Sequence, residues 1–341
     1  MPSAADDVRR AIDAHGGTIR FDAFVSLVLY GDHGFYTRPN QPGHAGRRGD
    51  FITSPEVGPL FGVVIARALD SWWHELGRPD PFTVVDAGAG PGTLARSVLA
   101  ARAECAAAMR YVAVETSASQ RALHPDGVES RATMPESEFV GVILANELLD
   151  NLPFRLFVYD DGWREAHVTI AADRFVEQLV TSKVLPGCLP REAAHGARVA
   201  VQDAASLWVS QALDILAAGR LVTFDYCTTS AAMAARPWRE WLRTYANHGR
   251  GGHYLSAVGD QDVTVEVAID QLPTPGLVST QAEFLRRHGI DALVEEGRSE
   301  WTRAASAPDL AAMRMRSRVR EAEALLDPAG LGAFSVIEWR R

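Results

Sequence analysis

The chain has 341 residues, a formal net charge of −9 at pH 7 and 47% hydrophobic residues. This composition is ordinary for a folded protein with a sizeable core, and the length allows one enlarged domain or two. The acidic balance argues against a broad nucleic-acid surface, so nucleic acid is not an expected partner. No apolar run has membrane-spanning length, so no membrane partner is expected either.

The three cysteines and the N-terminus indicate an intracellular setting. Cys105, Cys188 and Cys227 are too far apart in sequence for a CxxC pair or a zinc cluster, so we expect reduced thiols and no metal. The first ten residues carry acids and no apolar segment, unlike a secretion signal or a transit peptide. We therefore expect a cytoplasmic protein and leave its oligomeric state open.

The N-terminal part predicts two short helices followed by a long irregular segment. Ser3, with Asp6 three residues later, predicts the start of the first helix, and a second is expected near Asp22. Residues 30–62 are rich in Gly, Pro and aromatic residues and are too long for an ordinary connection, which indicates either a functional loop or disorder. We expect residues 1–81 to form N-terminal helices and a lid loop.

From Phe82 onward, strands and helices alternate. The stretches "FTVVDAG", "YVAVE" and "VGVILANE" read as strands, and a helix is expected from Thr93. A hairpin is predicted around Asp161 and Gly162, and a helix over residues 203–217 precedes the strands "RLVTFDY" and "FSVIEWRR". The expected fold class is α/β, with a Rossmann-like, mostly parallel sheet and helices on both faces.

The stretch "VVDAGAGPGTLA" places three alternate glycines, Gly88, Gly90 and Gly92, between a strand and a helix. Such a turn presents backbone N–H groups to a ligand at the carboxyl end of the strand, so the three glycines and Thr93, which follows them, are candidate cofactor-binding residues. The dinucleotide fingerprint requires glycine where this chain has Thr93, and there is no P-loop lysine. Taken alone, the three glycines could also be a simple tight turn.

Two acids narrow the choice of ligand. Glu115 ends the next strand, where a carboxylate can accept both hydroxyls of a ribose. Asp86, before the glycines, could hold an ammonium group, which favours S-adenosylmethionine as the cofactor. Glu115 as a surface acid and a nicotinamide-dependent oxidoreductase remain the alternatives.

Polar residues follow two further strands at the same predicted sheet edge. "ANELLDNLPFR" carries Asn146, Glu147 and Asp150, and two carboxylates three residues apart can face one cation if they begin a helix. Asp225 and Tyr226 end the later strand and are further candidates for the catalytic site. The alternative interpretation is that the acids cap a helix start and that Tyr226 is a core aromatic residue.

Eight segments in order, among them "LYGDHGFYTR", "GDFITSPEVGPLFG" and "GDQDVTVEV", give the chain a resemblance to a known family. It resembles the MidA-like class I S-adenosylmethionine-dependent methyltransferases, which include a mitochondrial complex I assembly factor described as a protein arginine methyltransferase. The resemblance implies methylation of arginine in a protein substrate. It also implies a methyltransferase domain over residues 82–341, with insertions at about 154–200 and 228–290.

Carried over position by position, the resemblance implies a cofactor site that includes the early loop. Its members are the three glycines, Glu115, and the cofactor or lid contacts Asp50, Phe51, Thr53 and Ser54. The chain departs from the family pattern at Asp86, where Glu is common, and at Cys227, where the family has Gly. A non-catalytic scaffold protein that binds S-adenosylmethionine therefore stays an alternative to an enzyme.

Overall fold

A computed structural model describes residues 2–38, 53–246, 249–304, 306 and 309–341. The chain divides into two compact units. The antiparallel-sheet unit comprises the described residues of Met1–Phe51 together with Leu148–Gln211 and Asp225–Thr274, and the parallel-sheet unit comprises those of Ile52–Glu147, Ala212–Phe224 and Pro275–Arg341. The domain boundary predicted at residue 81 stays a prediction.

The helices and strands are numbered in chain order. The helices are α1 (Ala4–Ala14), α2 (Phe21–Tyr30), α3 (Ser54–Val57), α4 (Pro59–Glu75), α5 (Thr93–Ala100), α6 (Ala118–Arg121), α7 (Asp203–Asp214), α8 (Ser230–Ala235), α9 (Gln281–Arg287), α10 (Ile290–Ala304) and α11 (Leu310–Leu325). The strands are β1 (Thr18–Arg20), β2 (Phe82–Ala87), β3 (Met109–Val114), β4 (Glu129–Arg131), β5 (Phe139–Asn146), β6 (Arg155–Tyr159), β7 (Trp163–Ala171), β8 (Arg174–Val180), β9 (Arg198–Val201), β10 (Leu216–Asp225), β11 (Cys227–Thr228), β12 (Leu242–Ala246), β13 (Gly249–Arg250), β14 (Asp262–Val265), β15 (Val267–Ala268), β16 (Leu277–Thr280) and β17 (Ser335–Arg340).

The parallel-sheet unit is built on a seven-stranded sheet in the order β16-β17-β10-β5-β2-β3-β4. Strands β10, β5, β2, β3 and β4 run parallel, and β16 is antiparallel to β17. Strand β2 is buried along its whole length, as expected for a central parallel strand. The predicted α/β class with a mostly parallel sheet is confirmed.

The register of this sheet brings three strand ends together. Ala87 of β2 lies opposite Ala145 of β5, and Phe224 of β10 lies opposite Asn146 of β5. Because parallel strands end at one edge, the residues that follow β2 and β5 meet at the same edge of the sheet. Phe61 packs edge-to-face on Phe224, with 5.4 Å between the ring centroids. Both rings belong to the hydrophobic core of this unit.

The antiparallel-sheet unit has its own sheet and core. Its main sheet has the order β1-β7-β6-β9, with β8 paired to β7, and these neighbouring strands are antiparallel. Strands β6 and β7 form the predicted hairpin, in which Asp161 and Gly162 have φ values of +52° and +133°. Phe21, Phe24 and Phe154 are buried in the core of this unit.

The helix starts and ends confirm some predictions and correct others. Ser3 caps α1 in the predicted capping box with Asp6. The helix predicted over 203–217 ends at Asp214, because Leu216 begins strand β10 and pairs with β5. The irregular segment predicted over 30–62 is shorter at its end, since α3 and α4 occupy Ser54–Val57 and the residues from Pro59 onward.

Candidate functional site in the parallel-sheet unit

The glycine turn between β2 and α5 needs backbone conformations that other residues rarely adopt. Gly88, Gly90 and Gly92 have φ values of +72°, +52° and +79°. A Cβ built on Gly90 would meet no atom of the described residues within 4 Å, so the described part of the chain leaves open space over the turn. The turn therefore presents its backbone to a space that a ligand can enter.

Glu115 lies against this turn directly after β3. Its Oε2 accepts a hydrogen bond from the N–H of Gly90 at 3.1 Å, and its Oε1 accepts one from the N–H of Ser117 at 2.8 Å. These two donors fix the carboxylate, which is half-buried and keeps lone pairs for further donors. His124, which the sequence interpretation missed, places its Nε2 2.9 Å from the carbonyl oxygen of Gly90.

Asp86 lies deeper than the sequence pattern predicts. Its side chain is 3% exposed, and its Oδ2 accepts a hydrogen bond from the hydroxyl of Tyr111 at 3.0 Å. Burial raises the pKa of Asp86 to about 7, the hydrogen bond from Tyr111 opposes that rise, and the nearby charge of Glu115 adds to it. Its expected contact with an ammonium group stays a prediction.

The segment at α3 anchors itself inside the unit and contacts the start of α5. Thr53 and Ser54 are buried, and the Ser54 hydroxyl donates to Oε1 of Gln281 at 2.8 Å. Glu56, which the sequence interpretation did not select, accepts a 2.6 Å hydrogen bond from the hydroxyl of Thr93. Asp50 and Phe51, the other predicted contacts in this segment, lie outside the described residues.

Asn146 ends β5 and Glu147 follows it, at the edge where the glycine turn lies. Glu147 has a φ of +51°, which is strained for a residue with a side chain, and its N–H donates to the carbonyl oxygen of Phe224 at 2.8 Å. The Asn146 amide donates to Glu147 Oε1 at 3.1 Å, while Asn146 Oδ1 is buried with no donor among the described residues. Backbone strain and unsatisfied buried polar atoms cluster at functional sites, which keeps this position a candidate for the site.

In the antiparallel-sheet unit, Asp225 organises the residues that follow Glu147 in sequence. Asp225 Oδ2 accepts hydrogen bonds from the N–H groups of Leu149 and Asp150 at 3.0 and 3.3 Å. Asp150 is buried, and burial raises its pKa well above the ordinary value, with the charges of Asp225 and Asp262 adding to the rise. The condition under which Glu147 and Asp150 could face one cation, that they begin a helix, is not met, because Glu147 has a left-handed backbone conformation and a short 3-10 turn follows it.

Tyr226 occupies a packed position in the same unit. Its carbonyl oxygen accepts from the N–H of Val267 at 2.7 Å, and the Arg243 guanidinium lies 5.4 Å from its ring centroid. These contacts hold the chain where β10 continues toward β11. A catalytic role for Tyr226 stays a prediction.

The residues around the glycine turn match the needs of S-adenosyl-L-methionine. Open space over Gly90, an oriented carboxylate at Glu115 and the unsatisfied Oδ1 of Asn146 provide room for an adenosine group and acceptors for its polar hydrogens. The family model of S-adenosyl-L-methionine-dependent methyltransferases matches residues 64–286. The chain belongs to this family. The cofactor of the family is S-adenosyl-L-methionine.

Individual relatives agree with this membership. The chain is 31% identical over 159 residues to the protein arginine methyltransferase NDUFAF7 homolog of Drosophila melanogaster, covering 37% of this chain and 36% of the relative. It is 26% identical over 297 residues to the protein arginine methyltransferase NDUFAF7 of Mus musculus, covering 72% of this chain and 65% of the relative. The matches thus span about a third and just under two thirds of these relatives.

A solved structure resembles nearly the whole chain. A superfamily member from Burkholderia thailandensis, bound to S-adenosyl-homocysteine, has a TM-score of 0.84 and 27% identity. The match covers 99% of this chain and 92% of that one. The shared fold therefore extends over nearly the whole chain.

The described part of the chain offers neither a membrane-spanning helix nor a metal-binding cluster. None of its helices is both long enough and apolar enough to cross a membrane. Across the same residues, no group of three or more His, Cys, Asp or Glu side chains has an arrangement that could hold a metal ion.

Proposed function

We propose that this chain transfers a methyl group from S-adenosyl-L-methionine to an arginine of a protein substrate. The observation that carries the proposal is the strained Glu147, which follows β5 at the sheet edge where the glycine turn follows the adjacent β2. The backbone of Glu147 is held in a conformation of raised free energy, and its carboxylate, beside the expected cofactor, is suited to bind the methyl acceptor.

The residues of the glycine turn would bind the cofactor. Glu115 would accept the ribose hydroxyls, since its carboxylate is already oriented by Gly90 and Ser117. Gly88 and Gly90 would let the backbone approach the ligand without side chains between them. When bound, S-adenosyl-L-methionine would supply a methyl group bonded to a sulfonium sulfur, and the neutral thioether S-adenosyl-homocysteine would be the leaving group.

Glu147 would bind and deprotonate the acceptor. An arginine side chain has a pKa above 12 and arrives protonated, so a carboxylate is needed to hold the guanidinium. The acceptor nitrogen forms a bond to the methyl carbon, the carbon–sulfur bond breaks with its electron pair going to sulfur, and the nitrogen loses a proton to Glu147. Alignment of the nitrogen with that carbon supplies most of the rate enhancement.

Asn146 and Asp225 would act as positioning residues. The Asn146 amide donates to Glu147 Oε1 and so restricts the direction of that carboxylate. Asp225 holds the N–H groups of Leu149 and Asp150, which restrains the chain directly after Glu147. Asp150 is 4% exposed, which favours a supporting role over direct contact with a protein substrate.

The choice of arginine is supported by the names of the curated relatives and by the chemistry of Glu147. Both relatives from Drosophila melanogaster and Mus musculus are named protein arginine methyltransferases. A carboxylate next to the methyl donor suits a cationic acceptor better than a neutral one.

The test uses tritium-labelled S-adenosyl-L-methionine and an arginine-rich protein with no prior methylation. Acid hydrolysis and amino-acid analysis identify the residue that carries the label. We expect label in methylarginine with the wild type and none with Glu147→Gln, whose binding of S-adenosyl-homocysteine should be unchanged. Label in another amino acid, or equal labelling by both proteins, would overturn the proposed acceptor or the role of Glu147.

A further inference from the structure

We propose that Glu56 binds the ammonium group of S-adenosyl-L-methionine, a role that the sequence pattern assigns to Asp86. The inference rests on the proposed cofactor and adds a binding residue from outside the glycine motif. Three carboxylates surround the turn, those of Glu56, Asp86 and Glu115. They differ in the groups that they contact and in their exposure.

Glu56 is held beside the far end of the turn. Its Oε1 accepts a 2.6 Å hydrogen bond from the hydroxyl of Thr93, the residue that follows Gly92 and begins α5. The segment that carries Glu56 cannot shift freely, because Ser54 bonds to the buried Gln281, whose amide in turn donates to the carbonyl oxygen of Leu325 at 3.1 Å. Glu56 is therefore fixed against the turn by a buried anchor two residues earlier.

Among the described residues, the carboxylate of Glu56 has no positively charged neighbour. Within the described parts of the chain, no Lys, Arg or His lies within ion-pair distance of it, and it is half-buried. The Thr93 hydroxyl bonds to Oε1, and Oε2 accepts no hydrogen bond from the described residues. A half-buried anion without a counter-ion attracts a cation more strongly than a solvated one, because screening by water is reduced.

Asp86 is less suited to the ammonium group. It is 3% exposed and its Oδ2 accepts from the buried Tyr111, so little of its carboxylate is accessible to a ligand. Glu115 is fixed by Gly90 and Ser117 on the side of β3, where a ribose is expected. With the ribose at Glu115, the amino-acid end of the cofactor extends along the turn, and Glu56 is the accessible carboxylate at Thr93.

The experiment compares two ligands by calorimetry. S-adenosyl-homocysteine carries the ammonium group, whereas methylthioadenosine has the same adenosine and thioether without the amino-acid end. For Glu56→Gln we expect S-adenosyl-homocysteine to bind about 10- to 100-fold more weakly, as for loss of a charge-assisted hydrogen bond. Methylthioadenosine should bind Glu56→Gln as tightly as the wild type. The glutamine oxygen can still accept from Thr93, so the fold is retained, which thermal melting checks.

Asp86→Asn is the matched variant, since it also exchanges one carboxylate for an amide. We expect its affinities for the two ligands to change in parallel. A selective loss of S-adenosyl-homocysteine in Asp86→Asn with none in Glu56→Gln would overturn the assignment, as would an equal loss of both ligands in Glu56→Gln. If the wild type binds neither ligand, the proposed cofactor is wrong. This outcome is distinguishable from an error in the Glu56 assignment alone, for which the wild type still binds both ligands.

Discussion

The hydroxyl of Tyr111 donates a hydrogen bond to Asp86 Oδ2 over 3.0 Å, and both side chains are buried. The pair links adjacent strands β2 and β3 directly beneath the glycine turn. Burial raises the pKa of Asp86 to about 7 against an ordinary value of 3.8. The carboxyl group thus changes its charge near neutral pH while lying under the expected cofactor.

This raised pKa predicts a pH-dependent stability. Between pH 3.8 and about 7 the folded state binds a proton that the unfolded state has released, so the free energy of unfolding falls as the pH rises. The Asp86 contribution should fall by up to about 1.4 kcal/mol per pH unit in that window and be level above it. Urea unfolding of the wild type and Asp86→Asn at several pH values measures it. A difference between the two proteins that does not vary with pH would contradict the assigned pKa.

Tyr111→Phe tests the hydrogen bond separately. The bond from Tyr111 lowers the pKa of Asp86, so its removal should raise that pKa further and move the end of the pH window above 7. The same unfolding series on Tyr111→Phe gives the result. An unchanged window would show that Tyr111 does not stabilise the ionised carboxylate.

Gly90→Val should block cofactor binding, because the new side chain would occupy the open space over the turn. Gly77→Val is the matched control, since Gly77 also has positive φ, at +78°, and also has no atom within 4 Å of an added Cβ. Both variants should lose about 1–2 kcal/mol of folding stability through backbone strain. Calorimetry should show loss of S-adenosyl-homocysteine binding in Gly90→Val alone, and equal binding in both would place the ligand elsewhere.

Glu147→Gly should stabilise the fold and abolish methyl transfer. Glycine relieves the strain at φ +51°, which is worth about 1 kcal/mol, but it removes the carboxylate proposed to meet the acceptor. Arg102→Gly provides the comparison, since Arg102 has φ +54° at an exposed position of the same unit. It should gain similar stability and keep full transfer. A less stable Glu147→Gly protein would show that the strain has been misjudged.

Asp150→Asn should be more stable than the wild type, and the gain should grow as the pH rises above 3.8. Burial, followed by the charges of Asp225 and Asp262, raises the pKa of Asp150, so ionisation of this group opposes folding and a neutral amide avoids that cost. Chemical unfolding at increasing pH measures the gain. A loss of stability that grows with pH would mean that the ionised carboxylate is stabilised by contacts that outweigh its burial.

Much of the parallel sheet could be predicted from local patterns. The sequence alone shows the apolar runs at β2, β3 and β5 and the glycines after β2. A buried parallel strand needs continuous apolar residues, so these runs indicate strands without tertiary information. The end of helix α7 at Asp214 could not be predicted from local patterns, because the pairing of Leu216 with β5 determines it. Tertiary pairing here overrides local propensity.

The site shows the same division. Glu115 and Glu147 follow strands and could be selected by position, and the sheet edge explains why they matter. Glu56 could not, because its contact with Thr93 joins residues 37 positions apart. The depth of Asp86 also depends on Tyr111 from the neighbouring strand. The sequence offered one signal for Glu56, since it is the acid that ends "GDFITSPE" within the segment "GDFITSPEVGPLFG".

Calorimetric titration of the wild type and Glu115→Gln with S-adenosyl-L-methionine and with NAD tests the central claim most directly. We expect the wild type to bind S-adenosyl-L-methionine and not NAD, and Glu115→Gln to bind it at least about tenfold more weakly, since the ribose loses a charged acceptor. Equal affinity in both proteins, or binding of NAD in place of S-adenosyl-L-methionine, would contradict the cofactor site described for this chain.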